Sequence, residues 1–309
     1  MITLTRRQLN RALLDRQLLL RSSDLTPLAA VSHLAGMQSQ IPDPPYIGLW
    51  TRLASFERDD LTRLMEERKI VRAAMMRSTL HLVTADDHNR FRPTLQPALE
   101  RALRSFYGKR ARGLDVNARV AIARPFLDEE PRTTGELKQR LLTDFPDADG
   151  DAMAYAVRTH LPLVQVPPGG TWGSGTRASY IPAETVLGPA DAPDLKAMLR
   201  RYLAAFGPAS IMDFQFWAGI TSLTKTIKPW LGEFALYADE NGKQLLDLPE
   251  AILPDADTPA PPRFVPAYDN LVISHKDRTR VLADADYKNV FLSAARVLPT
   301  YLVDGFVAG

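Results

Sequence analysis

The 309-residue sequence contains no cysteine. That excludes disulfides, thiolate nucleophiles and cysteine-based zinc sites outright. Histidine is scarce: the five are His33, His81, His88, His160 and His275. No two of them stand four residues apart within one helix and HExxH is absent, so no metal is expected. There is no GxSxG, no Walker loop and no GxGxxG after a strand. No cofactor is expected either. No run of eighteen apolar residues occurs, so no membrane span is expected. Arg6, Arg7, Arg11 and Arg16 are spread through the first twenty residues. A signal peptide holds its charges at the front and then runs apolar, so export is rejected and a cytoplasmic location is expected.

What remains is an ordinary globular composition, 45% apolar and 24% charged, long enough for two or three domains. The net charge of +2 hides an asymmetry. Residues 1–112 carry nineteen Lys or Arg against eleven Asp or Glu, and the remainder nineteen against twenty-five. A basic N-terminal third suits a surface that meets phosphates. A solvated, arginine-rich helical surface gives the same count, so charge alone leaves both readings open.

Along the chain, helices followed by a two-stranded hairpin recur three times. Thr5 caps a predicted helix over residues 6–20, and Thr26-Pro27 opens another that runs to 37. Gln38-Ser39-Gln40 then leads into a proline-rich turn that cannot be helical. Predicted helices over 46–55 and 58–67 precede strands 70–76 and 79–84, joined by a tight turn at Arg77-Ser78. In the second copy, a helix over 115–128 is followed by a Thr133–Glu136 capping box and a helix over 151–160. Strands 163–166 and 178–181 then flank the glycine-rich stretch 167–175, which reads as a flexible wing because it lacks a P-loop lysine. The third copy has helices over 194–206, 213–219 and 221–230. Strands 234–237 and 244–248 flank Glu240-Asn241-Gly242, whose Asn-Gly is a strong hairpin signal. After a proline-rich linker at 254–262, residues 263–274 and 300–308 read as strands. The expected fold is α+β: three tandem winged-helix units at 1–112, 113–190 and 191–253, with a β element at 254–309. The chain stops at Gly309 inside an apolar, strand-like stretch, which predicts that the natural C-terminus lies further on.

Winged helices are most often DNA-binding units. Arg72 and Arg77 near the first hairpin, and Arg90, Arg92, Arg101 and Arg104 after it, can track phosphates as a cluster. Each singly is as well explained as a solubilising arginine. Gln38 and Gln40 alternate on an extended segment, so their amides point the same way. Capping of a helix end accounts for them without any function.

Several stretches resemble the winged-helix DNA glycosylases of the AlkZ/YcaQ type. They are Leu34-Ala35-Gly36-Met37-Gln38-Ser39-Gln40, Arg77-Ser78-Thr79-Leu80-His81-Leu82-Val83, and Phe206-Gly207-Pro208-Ala209-Ser210 with Asp213-Phe214. Pro266-Ala267-Tyr268-Asp269-Asn270, Ser274-His275-Lys276-Asp277-Arg278 and the terminal Val303 to Gly309 complete the set. The resemblance spans essentially the whole chain. It implies excision of alkylated purines and unhooking of interstrand crosslinks in double-stranded DNA. It also implies a C-shaped arrangement of three units and a C-terminal β-barrel, cut short here. The family signature, glutamine, an apolar spacer, then glutamine or aspartate, places catalysis on Gln38 and Gln40; Ser39 departs from the apolar spacer. His81, His275 and Arg278 become DNA contacts by motif position. A monomer suffices for such a duplex binder, and nucleoid association follows from its ligand. A non-catalytic DNA-binding regulator, or an inactive relative that shelters lesions, remains the alternative.

Overall fold

The computed structural model describes residues 1–309 as an α+β molecule built on three sheets. The chain opens with strand β1 (Ile2–Leu4) and helix α1 (Arg6–Arg16). Thr5 and Gln8 form a capping box: Thr5 Oγ1 accepts from Gln8 N at 3.2 Å, and Gln8 Oε1 accepts from Thr5 N at 2.9 Å. The helix stops short of residue 20 because Leu18 adopts φ 56° and turns the chain.

Helix α2 (Pro27–His33) likewise ends before Met37. Ala35 at φ 54° and Gly36 at φ 85° break it. A Cβ on Gly36 would lie 2.7 Å from Val83 Cγ1, so the close approach to the sheet requires glycine. Met37–Gln38 then become strand β2 instead of a helix end. Two prolines open α3 (Pro44–Trp50), where a missing N–H costs nothing. Helix α4 (Arg58–Glu66) leads into the hairpin of β3 (Ile70–Ala74) and β4 (Leu80–Thr84). Arg77 and Ser78 in its turn are both left-handed, at φ 54° and 59°. Helices α5 (Ala85–Phe91) and α6 (Gln96–Tyr107) follow.

The second copy runs α7 (Val116–Glu129), β5 (Arg132–Thr133), α8 (Thr134–Asp144) and α9 (Gly150–His160). Then come β6 (Leu163–Val166), β7 (Ser179–Pro182) and α10 (Ala183–Leu187). The Thr133–Glu136 capping box forms as expected, with Glu136 Oε2 accepting from Thr133 N at 2.7 Å. The two hairpins do not stand apart. Ala73 of β3 pairs with Val164 of β6, which fuses them into one six-stranded sheet, β2-β4-β3-β6-β7-β5. Strand β2, carrying Gln38 opposite His81, forms one edge.

The third copy contains α11 (Leu195–Phe206), α12 (Ile211–Ala218), α13 (Thr224–Ile227) and the hairpin β8 (Ala235–Asp239) and β9 (Gln244–Asp247). Its sheet borrows β1 as a parallel partner, Ile2 opposite Tyr237. Beyond it, β10 (Arg263–Val265) pairs with β11 (Thr300–Val303), and β11 with β12 (Phe306–Val307). The expected strand over 263–274 breaks after Val265: Pro266 supplies no N–H, and Asn270–Ile273 form a helical turn, α14. A further turn, α15 (Tyr287–Val290), precedes β11. Three short antiparallel strands do not make a barrel, so the C-terminal segment is an open sheet.

The largest apolar cluster runs from Leu13 to Leu302 and draws on all three copies and the C-terminal segment, the second copy through Val164, Ile181 and Ala183. Smaller clusters sit beneath α2–α4 and among α7–α9. No helix is long and apolar enough to cross a membrane.

Candidate active site

Gln38 is half-buried on β2, and Gln40, two residues on, is exposed. Gln38 Oε1 accepts a hydrogen bond from Arg77 Nη2 at 2.7 Å. Arg77 Nη1 donates to Trp217 O at 2.9 Å, which ties the first hairpin turn to α12. The turn presses on Gly219, where a Cβ would stand 2.8 Å from Arg77 Cα. Burial, with help from the charge of Arg278, lowers Arg77 to about 10, so it stays a cation at neutral pH. With its oxygen held by the guanidinium, the Gln38 amide points its NH₂ the other way as a donor. The Gln40 amide faces solvent.

The residue between them is a clamp point. Ser39 is fully buried; its N–H donates to Leu80 O at 2.7 Å. Arg72 Nε and Nη2 donate to Ser39 O at 2.9 and 2.6 Å, and Nε also reaches Ser39 Oγ at 3.1 Å. Arg72 Nη2 further donates to Gln40 O at 3.2 Å. Its other nitrogen donates to Gln165 Oε1, and Gln165 Nε2 donates to Tyr180 OH at 2.8 Å. An apolar spacer could not accept the bond to Oγ. The serine therefore gives the Arg72 fork one more acceptor in a buried setting, where unpaired donors are costly.

The glycine-rich stretch closes over this clamp. Gly169, Gly170 and Thr171 are buried. A Cβ on Gly170 would meet Arg72 Cδ at 2.8 Å. Gly173 N donates to Asp43 Oδ1 at 2.9 Å, and Trp172 meets Tyr46 edge-on at 5.6 Å. The expected free wing is thus docked on the turn that follows Gln40, because small residues let its backbone come close.

On the opposite flank, Pro266 to Asn270 lie beside Gln38, Pro44 and Pro45. Asp269 makes a fully buried two-pronged pair with Arg52, at 2.8 and 2.7 Å. Asn270 Nδ2 donates to Gly36 O at 2.6 Å and Leu34 O at 3.1 Å. These contacts hold the bend that delivers Gln38 to the sheet edge.

Three of the expected DNA contacts are enclosed in the fold. Arg72 is spent on Ser39 and Gln165. His81 is enclosed, its Nδ1 3.0 Å from Thr79 O, and burial together with the Arg77 charge lowers it to about 3. His275 is enclosed near Asp213, its Nε2 3.1 Å from Phe206 O, and burial lowers it to about 3. Both rings are neutral at physiological pH. Arg278 is half-buried, with Nε donating to Val272 O at 2.8 Å. Its guanidinium lies over Phe291, Phe216 and Tyr287, at 4.4, 5.1 and 5.5 Å. Arg92 is buried and donates to Thr159 O, whereas Arg90 and Arg104 are exposed.

Sequence reasoning gave no role to Arg52, Asp269, Asn270 or Gln165. Asp269 and Asn270 lie in a stretch it singled out, but a buried charge pair spanning 217 residues leaves no periodic mark. Chemically, the site offers two amides, one fixed by a cation and one free. Of the carboxylates nearby, Asp269 is spent on Arg52, and Asp43 accepts from Gly173 N through Oδ1. The amides can orient a water and face positive charge.

A family model, "DNA glycosylase AlkZ-like", matches residues 31–309. No curated protein matches the chain. Among solved structures, the DNA glycosylase AlkZ of Streptomyces sahachiroi superposes with a TM-score of 0.84 at 19% identity, covering 99% of this chain and 87% of that one. At that identity the likeness speaks for the fold.

Proposed function

The chain belongs to the AlkZ-like DNA glycosylase family and so is an enzyme that hydrolyses N-glycosyl bonds in DNA; from that premise we propose that it excises cationic alkylated purines, crosslinked ones included, with Gln38 and Gln40 at the reacting centre. The proposal also treats the three helix-then-hairpin copies as winged helices that hold duplex DNA. Membership in a glycosylase family sets the non-catalytic regulator aside.

The observation that carries the substrate class is the pair of amides, one oriented by Arg77, beside a buried carboxylate, Asp269, that is spent on Arg52. A purine alkylated on a ring nitrogen is already cationic and leaves readily. The enzyme then needs no strong acid or base, only a placed water and a dipole facing the oxocarbenium-like sugar. Gln40, exposed and free, offers its carbonyl to that water. Gln38, its oxygen held by Arg77, offers N–H donors to the water or to the sugar. The water oxygen bonds to C1′ as the C1′–N bond breaks. The electron pair of that bond neutralises the departing base, and the water proton passes to solvent. A neutral lesion lacks this built-in leaving group, so it reacts poorly.

The test incubates the protein with duplex DNA carrying 7-methylguanine and scores abasic sites. Release of 7-methylguanine with little release of a neutral lesion supports the proposal. No release, or release undiminished by Gln38→Ala with Gln40→Ala, defeats it.

A further inference from the structure

Arg77 has a second neighbourhood. Besides holding Gln38, it lines an open groove of about 450 Å³ between α6 and α12. Arg101 and Lys276 also line this groove, and no carboxylate does. None of the three cations takes part in an ion pair. Some surface arginines are paired, Arg110 with Asp149 at 2.6 Å and Arg200 with Glu250 at 3.2 Å, and others such as Arg90, Arg104 and Arg112 stand unpaired; what sets these three cations apart is that they line one concavity. Three uncompensated cations facing one concavity concentrate positive potential there.

The groove is also built, not incidental. Arg101 is held in place by donating to Gly219 O, and to Thr221 Oγ1 at 3.1 Å. The Lys276 backbone N–H donates to Asp213 Oδ1 at 3.0 Å, which fixes the base of an exposed side chain. Apolar surface completes the lining. Phe106 is 70% exposed and Met212 44%, both at the groove. An aromatic face beside cations is the composition that tracks a nucleic-acid strand.

We infer that this groove takes the sugar–phosphate backbone of one DNA strand next to the damaged nucleotide. Phosphate oxygens face Lys276 and Arg101, and a sugar or base lies against Phe106. The inference rests on the glycosylase reading and extends it. It also resolves an electrostatic conflict at the reacting centre. A guanidinium hydrogen-bonded to Gln38 opposes the positive charge that develops on the sugar. A phosphate seated beside Arg77 offsets that charge, so the strand in the groove helps the chemistry as well as the binding.

The test measures affinity for undamaged and 7-methylguanine duplexes over a range of salt, for the wild type, Lys276→Ala, Lys276→Glu and Phe106→Ala. Lys276→Ala should flatten the slope of log affinity against log salt by roughly 1, the loss of one phosphate contact. Lys276→Glu should weaken binding further than Lys276→Ala at low salt. Phe106→Ala should weaken it roughly 5-fold or more, the scale of one lost stacking partner. Arg200→Ala, outside the groove, should change neither affinity nor slope. Wild-type affinity and slope in Lys276→Glu overturn the inference. Base release is scored separately. A protein that binds with a Lys276-dependent slope but releases no base refutes the glycosylase substrate and leaves the groove standing. Base release with unchanged affinity refutes only the groove.

Discussion

The first and third hairpins follow the same local recipe, yet their turns do different things. Arg77-Ser78 lies between β3 and β4 and is driven against Gly219 of the third copy, so its arginine is delivered to Gln38. Glu240-Asn241-Gly242 lies between β8 and β9 and is exposed, and nothing stands within 4 Å of a Cβ built on Gly242. The second hairpin sides with the first: its glycine-rich loop is docked over Arg72 and Asp43. A hairpin turn acquires a role here when a neighbouring copy buries it. Packing, and not turn type, separates the two docked turns from the exposed one, whose Glu240 Oε2 only accepts from Arg6 N at 2.9 Å.

Four outcomes break or sharpen that contrast. The largest concerns the glutamines that the first two turns support. Gln38→Ala with Gln40→Ala should cut single-turnover release of 7-methylguanine by roughly 100-fold or more, the scale of lost transition-state dipoles, and retained DNA affinity would confirm a folded protein. Next is Arg77. Arg77→Lys keeps the charge but cannot bond Gln38 and Trp217 together, so release should fall about 10-fold or more, the scale of one lost transition-state contact. An unchanged rate would mean that Gln38 needs no orienting partner.

The third outcome is the clamp under the second turn. Arg72→Ala strands Ser39 O and Gln165 in a dry site and should cost about 3 kcal/mol in denaturant unfolding. Gly242→Ala, at φ 77° in the exposed third turn, should cost only about 1 kcal/mol. Base release should be unchanged in Gly242→Ala. A larger loss at Gly242 than at Arg72 would reverse the contrast.

The fourth outcome, the smallest within the physiological range, is pH dependence. Glutamines do not titrate, so the rate of base release should be flat from about pH 6.5 to 8.5. Stability behaves differently. Burial lowers His81 to about 3 and His88 to about 4, from 6.5 in the unfolded chain. Above pH 6.5 both states hold these rings neutral and the stability is fully present. As pH falls below that, the unfolded state gains protons that the folded state refuses, so stability is lost progressively toward pH 4. Thermal melts across that window check the sign; a protein that gains stability on acidification contradicts it.

Much of this was legible from the residues. The tight turn at Arg77-Ser78 and the Asn-Gly signal mark two of the hairpins. The capping boxes gave helix starts. Gln38 and Gln40 are legible as alternating amides on an extended segment, and only the family resemblance makes them catalytic. What failed follows one pattern. Arg72 is expected at DNA as one of a cluster of arginines, and His81 and His275 by their position in the family motifs. Arg72 and His275 are held by residues distant in the chain, Gln165 and Phe206, which local sequence cannot register, and His81 is enclosed within the sheet. The glycine-rich loop read as a free wing for the same reason: its flexibility is visible locally, but the surface it docks on belongs to another copy.

Local chemistry alone, then, determined the α+β class, the threefold order of helices and hairpins, and the two amides with a small residue between them. Backbone propensity and side-chain period act over a few residues, so they are written where they act. The tertiary structure decided the rest. It moved Gln38 from a helix end to a sheet edge, gave its oxygen to Arg77 and left Gln40 free. It enclosed Ser39 as an acceptor for Arg72, and it left Arg77, Arg101 and Lys276 without acidic partners in one groove. Those outcomes depend on burial and on groups brought together from separate elements of the chain, and only the folded chain contains them.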